Sequence, residues 1–143
     1  MAIQYPPLPG HVLICDYGSG FRPPEMVKRR PALVVSPRLR HREGLVTVVP
    51  LSTTPPRRET PWQRRINLPF APPAPFAAVE VWVKADMLAT VALARLDLFR
   101  SPRDEDARRR YFTIRIADEE LEGVRACLVH ALGLGRSLDP KDP

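Results

Sequence analysis

Fifteen of the 18 prolines in this 143-residue chain fall within residues 1–75. Proline lacks an amide hydrogen, so it interrupts helices and is confined to the edges or ends of strands. The first half of the chain is therefore predicted to consist of short strands joined by proline-rich loops. The segments between prolines agree. HVLICDY (11–17), PALVVSP (31–37) and LVTVVPL (45–51) are apolar and rich in β-branched residues, the pattern of buried strands. GSGFRPPEMVKRR (18–30) reads as a long loop, RLRHREG (38–44) as a charged turn, and STTPPRRETPWQ (52–63) as a loop with two arginines near its middle. RRINL (64–68) is a brief strand, followed by the extended loop PFAPPAPFA (69–77).

The second half changes character. AVEVWVKADM (78–87) alternates Val79, Val81 and Val83 with Glu80, Trp82 and Lys84, a strand signal. VALARLDLF (91–99) fits helix or strand by propensity, and its alternation favours strand. SPRDEDARRR (101–110) reads as a charged hairpin loop, or as a short helix capped by Ser101 with Pro102 at its first position. YFTIRI (111–116) alternates again. Residues 117–135 are predicted to form a helix, with Asp118 as N-cap, acids in the first turn, and Leu121, Val124, Leu128 and Leu132 on one face. Gly133 or Gly135 ends it, and His130 near its C-terminal end suits the helix dipole rather than catalysis. The expected architecture is a small, mainly antiparallel β-barrel with a C-terminal helix, one domain over 1–135 followed by an unstructured tail, 136–143. Its core should include Val12, Ile14, Leu33, Val34, Val35, Val46, Val48, Val81 and Val83, with Leu121, Val124 and Leu128 docking the helix.

Charge is as unevenly placed as proline. The chain carries a net +6, yet residues 22–65 alone hold 11 basic and 3 acidic residues, a net of +8. Such an arginine-rich window points to an anionic partner: nucleic acid, membrane headgroups or an acidic protein. A solvated surface without a partner is the alternative. No segment approaches the ~18 consecutive apolar residues of a membrane span, and the first residues, MAIQYPPLPGH, do not follow a secretory-signal pattern. Two isolated cysteines, Cys15 and Cys127, suit a reducing cytoplasm better than a disulfide framework. His11, His41 and His130 show no metal-ligand spacing, so no metal or other cofactor is expected.

No nucleophile elbow or glycine-rich phosphate loop is present. The polar residues instead cluster at predicted strand ends. Glu25, Lys28, Arg29 and Arg30 immediately precede strand 31–37, and strand 45–51 runs into Ser52, Thr53 and Thr54. If the two strands are neighbours, cations and hydroxyls share one place. That combination can hold a phosphodiester and stabilise the added charge of a pentavalent transition state. Each residue also has a structural reading: Arg30 as a loop charge, Glu25 as an ion-pair partner of Lys28 or Arg29, and the hydroxyls as turn formers before Pro55.

GHVLICDYGSGFRPPEMVKRRPALVVSP (10–37), GLVTVVPLSTTP (44–55) and VWVKADMLATVALARLD (81–97) together resemble the PemK/MazF family of type II toxins. The resemblance spans about residues 10–133. It implies an SH3-like barrel, usually a homodimer, that cleaves single-stranded RNA without metal and is silenced by a small acidic antitoxin. Carried over residue by residue, it assigns catalysis to Arg30 and Thr53, with Ser52 as the register alternative, and to Glu25 as base or as orienter of Arg30. Arg22, Lys28, Arg29, Arg57 and Arg58 would track the RNA backbone. Phe21 would stack on a base or pack on its own barrel. His11 and Met87 depart from the family pattern, which often has Asp and Gln there. Two other functions stay open: a CcdB-like barrel that inhibits a protein such as a topoisomerase, and an RNA-binding module without catalysis.

Overall fold

The computed structural model describes residues 3–134; the predicted tail, 136–143, lies outside them. Ten strands precede a single helix. They are β1 (His11–Asp16), β2 (Arg29–Val34), β3 (Leu45–Ser52), β4 (Gln63–Asn67), β5 (Glu80–Lys84), β6 (Ala89–Ala92), β7 (Leu96–Asp97), β8 (Phe99–Arg100), β9 (Tyr111–Phe112) and β10 (Ile114–Arg115). The helix, α1, is Asp118–Ala131. Segment 91–99 is not one strand: a 3-10 turn at Leu93–Arg95 separates β6 from β7. Segment 101–110 is a hairpin loop, with Phe99 paired to Phe112 and Arg100 to Tyr111.

All pairings are antiparallel, in the order β10-β1-β2-β3-β5-β4, with β6 on β3 and β7 on β1. The mainly β class with one C-terminal helix is as expected, but the hydrogen-bonded path does not close into a barrel. It ends at β10 on one side and β4 on the other. α1 covers core residues near both ends: Leu121 and Val124 join a cluster with Ile66 of β4 and Ile114 of β10. Glu120 fastens the helix to β4, accepting a 2.9 Å bond from the Asn67 amide and pairing with Arg64 at 3.4 Å. The helix approaches so closely that a Cβ on Gly123 would collide with the Arg64 guanidinium.

β1, β2 and β3 are apolar in both phases of their alternation because both faces are covered. Val12, Ile14, Leu33, Val49 and Leu51 enter the cluster under α1. Leu13, Cys15, Ala32, Val34, Val46 and Val48 enter a second cluster with Tyr17, Met26, Val91 and Leu96. The expected core residues are buried, except Val35 and Leu128, which are half-buried against the first cluster. Asp118 is not the N-cap. Ala117 holds that position without a side-chain bond, and Asp118 opens the helix while pairing with Arg115 at 3.8 Å. Gly133, at φ +70°, ends the helix in the left-handed conformation glycine adopts without strain.

His11, where the family often has Asp, joins β1 to the segment beside β10: its Nδ1 and the Thr113 hydroxyl share a 2.7 Å hydrogen bond. Burial first, then the charge of Arg115, lowers its pKa from the ordinary 6.5. The native state thus resists protonating His11. Its contribution is present above about pH 6.5 and is lost as the pH falls below that value. A thermal-melt series from pH 8 to pH 5 should show this decline, and His11→Gln should flatten it. Leu33, fully buried between β1 and β3, gives a second check: Leu33→Ala should cost about 2–5 kcal/mol in chemical denaturation.

Candidate phosphate-binding groove

The β2–β3 ladder runs Val34–Val48, Leu33–Val49 and Ala32–Pro50. Beyond Pro50 the pairing with β2 stops, while on its other edge the end of β3 pairs with β5, Leu51 with Val83 and Ser52 with Trp82. The start of β2 pairs only with β1, Arg30 opposite Cys15 and Arg29 opposite Asp16. Where β2 and β3 part, a cavity of about 500 Å³ opens. Lys28, Arg29, Arg30, Ser52, Thr53 and Thr54 line it, over an apolar floor that includes Leu51, Leu68 and Val81 and beside the proline-rich loop at Pro72–Ala78. The two sequence clusters singled out as polar strand ends therefore meet in one groove.

The three cations in it differ in their surroundings. Arg29 reaches over β1 and pairs with Asp97 at 3.2 Å. Lys28 has no ion pair among the described residues. Arg30 is half-buried, its Nε is shielded from solvent, and no hydrogen bond or ion pair engages it among the described residues. Its charge interacts with the buried hydroxyl of Tyr17. Burial lowers the Arg30 pKa, yet a guanidinium stays protonated at neutral pH. A partly desolvated cation with no neighbouring acid is a receptor for an anion.

The two hydroxyls differ in their setting. Leu51 faces the first core cluster, so Ser52, the last residue of β3, points to the other side, and Thr53 lies in the bend beyond the strand. Past the last β2–β3 pair, Ser52 and Arg30 both line the cavity. Ser52 Oγ accepts a 3.1 Å bond from the Thr54 amide, which leaves its O–H to donate. Ser52 is 7% exposed, whereas Thr53 is exposed.

The remaining predicted residues lie outside the groove lining. Glu25 is exposed, and its Oε2 accepts a 3.0 Å bond from the Arg22 amide, closing a turn in the loop before β2. Arg22 is exposed on that loop. Phe21 packs on its own fold: its ring meets Tyr17 edge-on at 5.3 Å, and the Arg95 guanidinium lies 4.8 Å from its centroid. Arg57 and Arg58 are exposed on the loop between β3 and β4. Sequence reasoning missed Tyr17, Asp97 and Arg95. Arg95 braces the loop after β1 by donating to the carbonyls of Asp16 at 3.1 Å and Ser19 at 2.5 Å. The alternation of Arg95 with Asp97 was the available signal.

Among the described residues no cluster of three or more His, Cys, Asp or Glu is placed to hold a metal, and no helix is long and apolar enough to cross a membrane. Fold and groove together define a small β protein with a cation- and hydroxyl-lined groove where two strands part. The chain belongs to the PemK-like, MazF-like toxins of type II toxin-antitoxin systems, whose family model matches residues 8–132. It is similar in structure to an endoribonuclease solved in complex with its cognate antitoxin from a mycobacterial species, with 28% identity, 90% of this chain and 96% of that chain covered and a TM-score of 0.56. A second mycobacterial endoribonuclease aligns at 25% identity over 89% of this chain and 91% of that one, with a TM-score of 0.54. MazF from Deinococcus radiodurans shares the fold at 22% identity, covering 89% and 96%, with a TM-score of 0.55. No curated protein matches the chain. Neither the topoisomerase-inhibitor reading nor that of a non-catalytic RNA binder gains support.

Cys15 packs opposite Arg30 and is fully buried, which pushes its thiol up to about 11. The native protein should therefore leave Cys15 unmodified by iodoacetamide at pH 8, with modification following on denaturation. Mass spectrometry of tryptic peptides reads the outcome.

Proposed function

We propose that the chain is the toxin of a type II pair and an endoribonuclease of single-stranded RNA, acting from the groove between β2 and β3 within one domain, residues 1–135. The observation that carries the reading is Arg30: a half-buried guanidinium without an acid, beside hydroxyls, in a groove open to a chain. In the proposed reaction the substrate's 2′-oxygen bonds to the adjacent phosphorus while the bond to the 5′-oxygen breaks. The proton lost from the 2′-OH is balanced by the one gained at the 5′-oxygen. The products are a 2′,3′-cyclic phosphate and a 5′-OH. Arg30 neutralises the non-bridging oxygens as charge builds on them. Ser52, the more buried of the two hydroxyls in the groove lining and with its O–H free to donate, is favoured as the hydroxyl donor, with Thr53 beside it. Glu25 acts by holding the loop that leads into β2, which favours the orienting role over that of base. Lys28, Arg29, Arg57, Arg58 and Arg22 supply positive potential along the strand's path.

The same surface suits an inhibitor. A small acidic antitoxin with interspersed apolar residues would order itself on the groove and exclude RNA, and a homodimer would offer it a composite surface. The mycobacterial relative solved with its antitoxin supports this kind of partner.

Incubating the purified protein with a long RNA in EDTA and mapping fragment ends tests the activity; an absence of cleavage overturns it. Arg30→Ala should lower the cleavage rate about 10²–10³-fold, and Arg30→Lys should also be impaired because an ammonium cannot form the bidentate fork. Ser52→Ala should cost more than Thr53→Ala. If about four phosphates are contacted, affinity for single-stranded RNA should fall about 50-fold between 50 and 200 mM salt, as titration at several ionic strengths would show.

A further inference from the structure

The proposed reaction leaves the arginine-rich hairpin at 99–112 unused. β8 and β9 set Phe99 opposite Phe112 and Arg100 opposite Tyr111. Opposed residues share a face of the ladder, and successive pairs take opposite faces. The Phe112 ring centroid lies 5.9 Å from that of Phe99 and 6.1 Å from that of Phe70, which anchors the base of the hairpin on the first core cluster. Arg100 and Tyr111 are thereby held outward side by side, with Tyr111 41% exposed. The tip folds on itself: Asp104 Oδ1 accepts 2.9 Å bonds from the amides of Asp106 and Arg108. Residues 100–110 hold five arginines against three acids. Among the described residues none of those arginines forms an ion pair.

At the foot of the hairpin lies a cavity of about 320 Å³, whose lining includes Arg100, Tyr111, Arg29, Pro75 and Phe76. The last three also line the groove between β2 and β3, so the two cavities adjoin. A single strand leaving the groove past Arg29 therefore meets Arg100 and Tyr111 next. An exposed ring beside a guanidinium matches a nucleotide: the base stacks on the ring while the phosphate meets the cation.

We propose that this cavity is a second nucleotide site, away from the cut, where a base of the single-stranded RNA stacks on Tyr111 and its phosphate is held by Arg100. Arg108 and Arg109, between the hairpin tip and β9, extend the positive potential. Stacking tolerates any base, so the site adds affinity for a longer strand without reading its sequence. The inference rests on the ribonuclease reading above. An antitoxin segment anchored by apolar side chains is the less fitting occupant, because the solvent-facing lining is more polar than apolar.

Two single-stranded oligonucleotides with 2′-deoxy sugars, one short and one several nucleotides longer, are titrated into the full chain and followed by anisotropy. The longer one should bind more tightly, and Tyr111→Ala should weaken it about tenfold while the short one changes little. Tyr111→Phe, which keeps the ring, should retain the wild-type affinity. Arg100→Gln should reduce the log–log salt slope by about 0.7, the share of one phosphate on a single strand. A photoactivatable thiopyrimidine in the longer oligonucleotide should crosslink to the tryptic peptide 111–115. Unchanged affinity and salt slope in the Tyr111→Ala and Arg100→Gln proteins, with RNA still cleaved, overturns the site and leaves the ribonuclease reading standing. Loss of binding to an acidic, leucine-bearing peptide in Tyr111→Ala, with oligonucleotide affinity intact, overturns it in favour of protein docking. If wild type cleaves no RNA but the Tyr111 dependence holds, the ribonuclease reading falls and the cavity stands as a nucleic-acid site.

Discussion

Burial of β1, β2 and β3 on both faces is the constraint on which the other elements depend. A strand apolar on one face needs one cover; these three need two. α1, β4, β5 and the proline-rich loop cover one side, while Met26, Tyr17, β6 and β7 cover the other. The chain lets β3 change partners to meet both demands. Its first half pairs with β6 and its last two residues with β5, on the edge away from β2. On the other edge the pairing with β2 stops at Ala32–Pro50, and the groove opens past that point.

The groove's electrostatics follow from which cations find acids. Most of the fold's ion pairs are exposed and contribute little to stability, but they determine where positive charge is spent. Arg29 is bound to Asp97 and Arg64 to Glu120. Arg95 is committed to backbone carbonyls. Among the described residues Arg30 stays without an ion pair at the edge of a buried layer, where desolvation strengthens the interactions of a charge. The group it interacts with is the buried hydroxyl of Tyr17 rather than a carboxylate, so the cation is not neutralised.

The amino-acid sequence by itself determined where strands form, because prolines punctuate β-branched runs, and where charge concentrates, because eleven of the basic residues fall in one window. It also determined the terminal helix, through spaced leucines and a first turn of acids, and the meeting of Lys28–Arg30 with Ser52–Thr54, which are strand ends once their strands are neighbours. Tertiary structure decided the rest. Arg29 and Asp97 are 68 positions apart, and local periodicity says nothing about such a pair. Ser52 and Thr53 are neighbours in the sequence, but only the fold buries the first and exposes the second. Phe21 is a free ring in the sequence and a packed one once Tyr17 and Arg95 surround it. Whether the sheet closed was likewise fixed at long range: α1 covers the core between its two ends, so burial there did not require β10 and β4 to pair. Alternation is a property of neighbours along the chain, whereas register and closure belong to segments joined only by folding.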